Sequence, residues 1–156
     1  MFKIEYLLSF FTLLCLSIGF SNANTYTVTN TNNSGIGSLR QAITDANNNT
    51  GNDLIDFNIS GTGPFTISLL SALPDLADNA GVTIDGYSQP GSSANSNVTG
   101  ALNGTLQIIL DNAGSIKVGL KLSGKNNVIK GLVLPNFGDG TPSVFDDQAI
   151  FISAND

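Results

Sequence analysis

Histidine is absent from the 156-residue chain. That removes His-based catalytic triads, imidazole acid–base catalysis and histidine metal ligation together. A single cysteine, Cys15, falls in the N-terminal apolar run, so a chain that loses this run can form neither an internal disulfide nor a thiolate metal site. Charge is scarce as well. Charged residues make up 12% of the chain, about half the usual ~25%. The balance is acidic, six Lys and Arg against twelve Asp and Glu, and no basic cluster offsets it. Such a surface repels phosphate backbones, so no nucleic-acid partner is expected. No phosphate-cradling glycine loop or dinucleotide fingerprint appears, and no cofactor is expected. Asn, Ser, Thr and Gly fill the space that charge leaves, a composition that suits a turn-rich all-β chain of one domain.

Residues 1–23 read as an export signal. Lys3 gives a weakly basic start, residues 6–20 are apolar, and Ser21, Asn22 and Ala23 supply small residues at a peptidase site. The apolar run of about 15 residues is shorter than the ~20 that a spanning helix needs. Cleavage after Ala23 makes Asn24 the first mature residue, and Lys3 and Glu5 leave together, so the net charge stays at −6. Nothing later is long enough to span a bilayer. The expected location is secreted or cell-surface, with no membrane span after cleavage.

From Thr25 the pattern is one of short strands. Tyr26 and Val28 alternate with threonines, Ile55, Phe57 and Ile59 with Asp56 and Asn58, and Phe65, Ile67 and Leu69 with Thr66 and Ser68. Further strands are expected at 82–84, 106–110, 118–122, 128–134 and 149–152, separated by Gly, Asn, Ser and Pro clusters. One helix interrupts them, over 38–47. Ser38 is a candidate N-cap with Gln41 at capping-box spacing. Leu39, Ala42, Ile43 and Ala46 form one apolar stripe. Residues 47–51 tolerate the left-handed backbone that would stop it. Arg40 lies on the other side of the helix and is expected to behave as a solvated surface residue. The helix reads as a lid over apolar strand surface.

A short phrase recurs: Gly119-Leu120-Lys121-Leu122, Gly131-Leu132-Val133-Leu134 and Ala149-Ile150-Phe151-Ile152. Strands too small to bury a face alone become stable when stacked as turns of a solenoid. The wording Gly37-Ser38-Leu39-Arg40-Gln41-Ala42-Ile43, with Asp45-Ala46-Asn47 behind it, resembles the opening helix of secreted bacterial proteins built on a right-handed parallel β-helix. The resemblance continues through Asp53-Leu54-Ile55-Asp56-Phe57, Val82-Thr83-Ile84-Asp85-Gly86, Ser88-Gln89-Pro90-Gly91 and the segment 127–134 with Phe137-Gly138. It implies the pectin-lyase-like superfamily: an all-β solenoid over 24–156 with a short N-terminal capping helix. The strands amount to roughly three or four turns, and 149–153 reads as the start of another with no closing cap after it. The expectation is therefore an N-terminal portion of a longer protein or a truncated reading frame, incomplete at its C-terminus, and an open last turn invites end-to-end self-association.

The resemblance also implies where chemistry would lie. Polyuronate-cleaving members of that superfamily use an aspartate cluster for Ca²⁺ and an Arg or Lys to take a proton. Asp53, Asp56, Asp85 and Asp111 could supply carboxylates, yet Asp53, Asp85 and Asp111 each stand beside a turn, where aspartate bonds to nearby backbone N–H groups. Arg40, Lys121 and Lys130 are the candidate bases, and solvated roles suit them better. Asp146-Asp147 is the one adjacent acidic pair, but neighbours on a strand point to opposite faces, so adjacency does not make an acid–base pair. Asn47, Asn48, Asn49, Asn126 and Asn127 could hydrogen-bond sugars, though turn and ladder roles fit better. Asn58 and Asn97 head glycosylation sequons, of little weight given the resemblance to bacterial proteins. No catalytic, cofactor-binding or metal residue is assigned. The reading is a non-catalytic structural or adhesive module of a secreted or surface β-helix protein, in contact with polysaccharide or a cell-surface glycan. The alternative is the N-terminal part of a β-helix polysaccharide lyase or glycoside hydrolase whose active site lies beyond residue 156.

Overall fold

A computed structural model describes residues 22–114, 116–137 and 148–153. Most of the expected leader, Asp146-Asp147 and the last three residues lie outside that set. Among the described residues there are nine strands and one α-helix. In chain order they are β1 (Thr25–Val28), α1 (Leu39–Asn47), β2 (Asp53–Phe57), β3 (Phe65–Leu69), β4 (Val82–Asp85), β5 (Ile108–Asn112), β6 (Val118–Leu122), β7 (Val128–Lys130), β8 (Leu132–Val133) and β9 (Gln148–Ile152). The chain is thus mostly strand with little helix, and every strand pairing is parallel.

Three sheets result, ordered β1-β2-β4-β7, β3-β5-β8 and β6-β9. Parallel neighbours cannot be joined by a hairpin. The chain therefore leaves each sheet and returns to it, visiting another sheet between β2 and β4 and two others between β4 and β7. Alternation then sets what each strand buries. In the first sheet Tyr26, Ile55, Ile84 and Ile129 stand in one register column. Ile55 and Ile84 are fully buried, with Tyr26 and Ile129 packed against the same core. Ile67 pairs with Leu110 in the second sheet, and Leu120 with Ile150 in the third. Burying one such side chain contributes roughly 1.5–3 kcal/mol, so the columns dominate the stability of the stack.

Helix α1 follows the sequence expectation on its inner face. Leu39, Ala42, Ile43 and Ala46 are all buried in the core cluster, and the helix packs on β1 and β2. Ser38 is the N-cap, its Oγ accepting from Gln41 N at 3.2 Å. The capping box is only half formed. Gln41 does not reach back to Ser38, because its Nε2 donates to Asp45 Oδ1 at 2.8 Å while Ser38 N donates to Gly35 O. The C-terminus differs too. Asn48 caps with φ −89° and ψ −6°, a right-handed conformation, so the helix ends without the left-handed residue expected there.

Two strand boundaries moved. The segment expected at 106–110 forms β5 two residues later, which puts Asp111 inside a strand opposite Ser68 instead of at a turn. The segment 128–134 is not one strand but two. Gly131 has φ +70° and turns the chain between β7, which pairs with β4, and β8, which pairs with β5. At the matching corner after β4, a Cβ on Gly86 would overlap Gly131 O. Glycine is needed at both corners, for close approach at one and positive φ at the other. The recurring phrase is likewise split: those at 119 and 149 pair in register, Leu120 with Ile150 and Leu122 with Ile152, whereas that at 131 pairs with β5. The segment expected as an opening strand at 149–153 is β9.

Candidate functional site

The outward face of the first sheet is where sequence reasoning would place chemistry. Thr27 pairs with Asp56, and Asp85 with Lys130, in one outward row. Lys130 Nζ lies 2.9 Å from Asp85 Oδ2, and Asp85 Oδ1 accepts from Tyr87 N at 3.0 Å, closing a 3-10 turn over Gly86–Ser88. Asp85 therefore does what a turn aspartate does while also pairing with the lysine opposite it on the neighbouring strand β7. Asp56 Oδ1 is buried without a hydrogen-bond partner. Asp111 lies in the second sheet, its Oδ1 accepting from Asn136 Nδ2 at 2.8 Å. Asp53 opens β2 in phase with Ile55 and Phe57, so it faces inward and is fully buried. The four candidate carboxylates are thus dispersed over an inner face and two outer ones. Among the described residues no group of three or more His, Cys, Asp or Glu could hold a metal ion.

The candidate bases are engaged elsewhere. Lys121 Nζ lies 2.7 Å from Asp75 Oδ2, each side chain more than a third exposed, a pairing worth at most ~1 kcal/mol. Arg40 is not the solvated residue expected from its helical position. Its guanidinium donates to Asn33 O at 2.9 Å, to Ser71 O at 2.7 Å, to Ala72 O and to Asn33 Oδ1. One planar fork thereby ties the loop ahead of α1 to the segment after β3. A proton acceptor needs a free, neutral nitrogen, and this one spends its donors on carbonyls.

The asparagines carry the clearest pattern. Asn47 donates to Asp75 O at 2.7 Å and accepts from Ala77 N at 3.0 Å. Asn127 Oδ1 accepts from Val82 N at 2.9 Å while Nδ2 donates to Leu76 O and Gly124 O. Asn52 donates to Ala80 O, and Asn112 to Ile116 O and Asn136 O. Amides that both donate and accept are standing in for absent backbone partners at the turns. Many of these bonds join residues 24 to 51 positions apart. They run to backbone groups rather than from one asparagine side chain to the next, so the expected ladder role takes the form of backbone clips. Asn126, with φ 57°, and Asn136, with φ 63°, supply the left-handed turns expected of such residues.

Two contributors escaped the sequence reading. Gln89, 2% exposed, accepts from Ile59 N at 2.8 Å and donates to Ile59 O at 3.0 Å, extending β2 with a side chain in place of a strand. Ser88 Oγ does the same for Phe57 N at 2.7 Å. A buried Gln is recognisable only once Ile59 is known to lack a strand partner. The loop between β4 and β5 holds an open groove of about 140 Å³ lined by Tyr87, Ser93, Asn95, Leu102, Gly104 and Leu106. It is smaller than the ~300 Å³ at which ligand pockets begin. Two of its polar side chains are also committed: Ser93 Oγ accepts from Thr105 N, and Asn95 bonds Asn103 N and Asn97 O.

No protein-family model, curated protein or solved structure matches the chain. Among the described residues no helix is long and apolar enough to cross a membrane.

Proposed function

We propose that this chain is the helix-covered N-terminal portion of a right-handed parallel β-helix, exported by residues 1–23 and serving as a non-catalytic structural or adhesive module that meets polysaccharide at its polar outer faces. The observation that carries the reading is the commitment of its polar side chains. Asn47, Asn127, Gln89 and Arg40, the groups that could orient a sugar or move a proton, are spent on backbone groups of other turns. A module built this way holds its own layers together, and what it offers a partner is an array of exposed threonine, serine and asparagine.

Parallel pairing in three sheets, with the order first, second, third followed from β4 to β6 and again from β7 to β9, supports the β-helix reading. The recurring Tyr26, Ile55, Ile84 and Ile129 column supports stacked layers of similar shape. Among the described residues β7, β8 and β9 have partners on one side only, and Ile152 on β9 is 70% exposed. Those edges are the surface on which a further layer, or a second copy, would add.

The test uses the exported protein and insoluble polyuronate, followed for sedimentation with the polymer and for release of unsaturated or reducing ends, with and without Ca²⁺. Binding without product release is expected. Catalytic release by the purified chain, abolished by Asp56→Asn or Asp85→Asn, would overturn the non-catalytic reading. Failure to sediment with any polymer would remove the adhesive part.

A further inference from the structure

We propose that Asp53 is the receptor for the α-ammonium group created at Asn24 when the leader is removed, so that processing completes a partly buried ion pair. The proposal rests on cleavage after Ala23, the reading on which export itself depends.

Asp53 is an unusual aspartate. It opens β2 on the inward side of the alternation and is fully buried. Its Oδ1 accepts from Asn24 N at 2.8 Å and from Asn49 Nδ2 at 2.7 Å. Its Oδ2 is buried and has no partner. The ion pairs of Lys121 and Lys130 go to Asp75 and Asp85, so neither cation serves it. A carboxylate held in this way is costly unless a positive charge is near.

The nitrogen already touching Asp53 is the one that processing would turn into a cation. Cleavage breaks the bond between the Ala23 carbonyl carbon and Asn24 N. Water supplies an oxygen to the departing carboxylate, and its two protons end on Asn24 N, which becomes –NH₃⁺. One amide donor at 2.8 Å is thereby exchanged for three ammonium donors and a unit charge, enough to serve Oδ1 and turn a second donor toward Oδ2. The leader side of the bond is held at the same place. Asn22 O accepts from Asn49 Nδ2 at 2.6 Å, so a single amide bridges the end of the leader and Asp53. Residues 22 and 23 also run closely over Gly51, where a Cβ would overlap Asn22 O. Removal of the leader frees that Asn49 donor and supplies the charge in one step. The mature fold is therefore favoured over the precursor at β1 and β2, where the stack begins.

The test labels the terminal amine of the exported protein with an acylating reagent near neutral pH, where an α-amine reacts ahead of lysines. In the folded protein acylation of Asn24 should be at least ~tenfold slower than in urea, and Asp53→Asn should abolish that protection. The exported protein α-acetylated in urea and refolded should have a lower urea midpoint than the free amine, with a much smaller difference in Asp53→Asn. An amine equally reactive folded and unfolded overturns the ion pair, as does equal loss of stability on acetylation in both backgrounds. Should Asp53→Asn fail to fold, protection of the amine in the unaltered protein decides alone. N-terminal sequencing separates the two premises: a terminus other than Asn24 overturns the processing step, whatever the acylation shows.

Discussion

Replacing Asn127 with alanine should destabilise the protein far more than its half-buried position suggests. The amide accepts from Val82 N, a residue with no exposed surface, and donates to Leu76 O and Gly124 O. A truncated side chain leaves the Val82 N–H at the start of β4 with no acceptor. Stranding one buried backbone group costs about 1–3 kcal/mol, and two further bonds, partly replaced by water, add about 0.5–1 kcal/mol each. The expected loss is about 2–5 kcal/mol. Asn97→Ala is the control. Its amide bonds Ala101 O within one exposed loop and ties no layer to another, so its loss should stay below ~1 kcal/mol. Urea unfolding of both variants gives the comparison, with unchanged slopes required before midpoints are read as stability. Indistinguishable midpoints would refute the assignment of Asn127 as a clip between turns. Asn127→Asp sharpens the test, because it keeps the acceptor for Val82 N but turns a donor toward two carbonyls into a repulsive oxygen.

Ile43→Asp places a charge against β1 and β2 and should cost roughly 3–5 kcal/mol, whereas Arg40→Ala, through lost carbonyl contacts at Asn33, Ser71 and Ala72, should cost about 1–2 kcal/mol, both read from urea midpoints. An Arg40→Ala loss below ~0.5 kcal/mol would return Arg40 to the class of ordinary surface residues. Gly131→Ala combines a positive φ with a Cβ placed 2.5 Å from Tyr87 N, so its loss in thermal unfolding should exceed the ~1–2 kcal/mol of the backbone term alone. Light scattering across a salt series should show association growing with ionic strength, as screening of the net charge of −6 lets the edges of β7 to β9 meet; a monomer at every salt concentration would count against edge pairing.

What could be read from the sequence follows the range of the interactions involved. The stripe Leu39, Ala42, Ile43, Ala46 is a local periodicity, and the structure buries all four. Residues 118–122 alternate between turn clusters, and β6 spans the expected residues. Gly131 is hard to read as a corner because apolar residues continue on both sides of it, Ile129 before and Leu132 to Leu134 after, while the change of sheet rests on a positive φ that composition does not display. Arg40 was placed by its position on the helix, yet a side chain that long reaches carbonyls 31 and 32 residues away. Asp53 follows Gly51-Asn52 and so reads as a turn aspartate, yet the sequence also carries the opposite signal: it is in phase with Ile55 and Phe57, the inward-facing residues of its own strand. Phase also separates it from Asp56, which no count of acidic residues could do. Backbone clips such as Asn127 to Val82 span 45 residues, and only the folded stack reveals which N–H lacks a partner.

The account stands or falls on parallel stacking of β1, β2, β4 and β7. Nuclear Overhauser contacts between backbone protons of neighbouring strands measure it directly in the purified protein. Contacts of parallel type should connect Tyr26 to Ile55, Ile55 to Ile84 and Ile84 to Ile129, with Leu120 to Ile150 in the third sheet. Antiparallel contacts between these strands, or a register displaced by one residue that turns Ile55 and Ile84 outward, would contradict the stack and the module built on it.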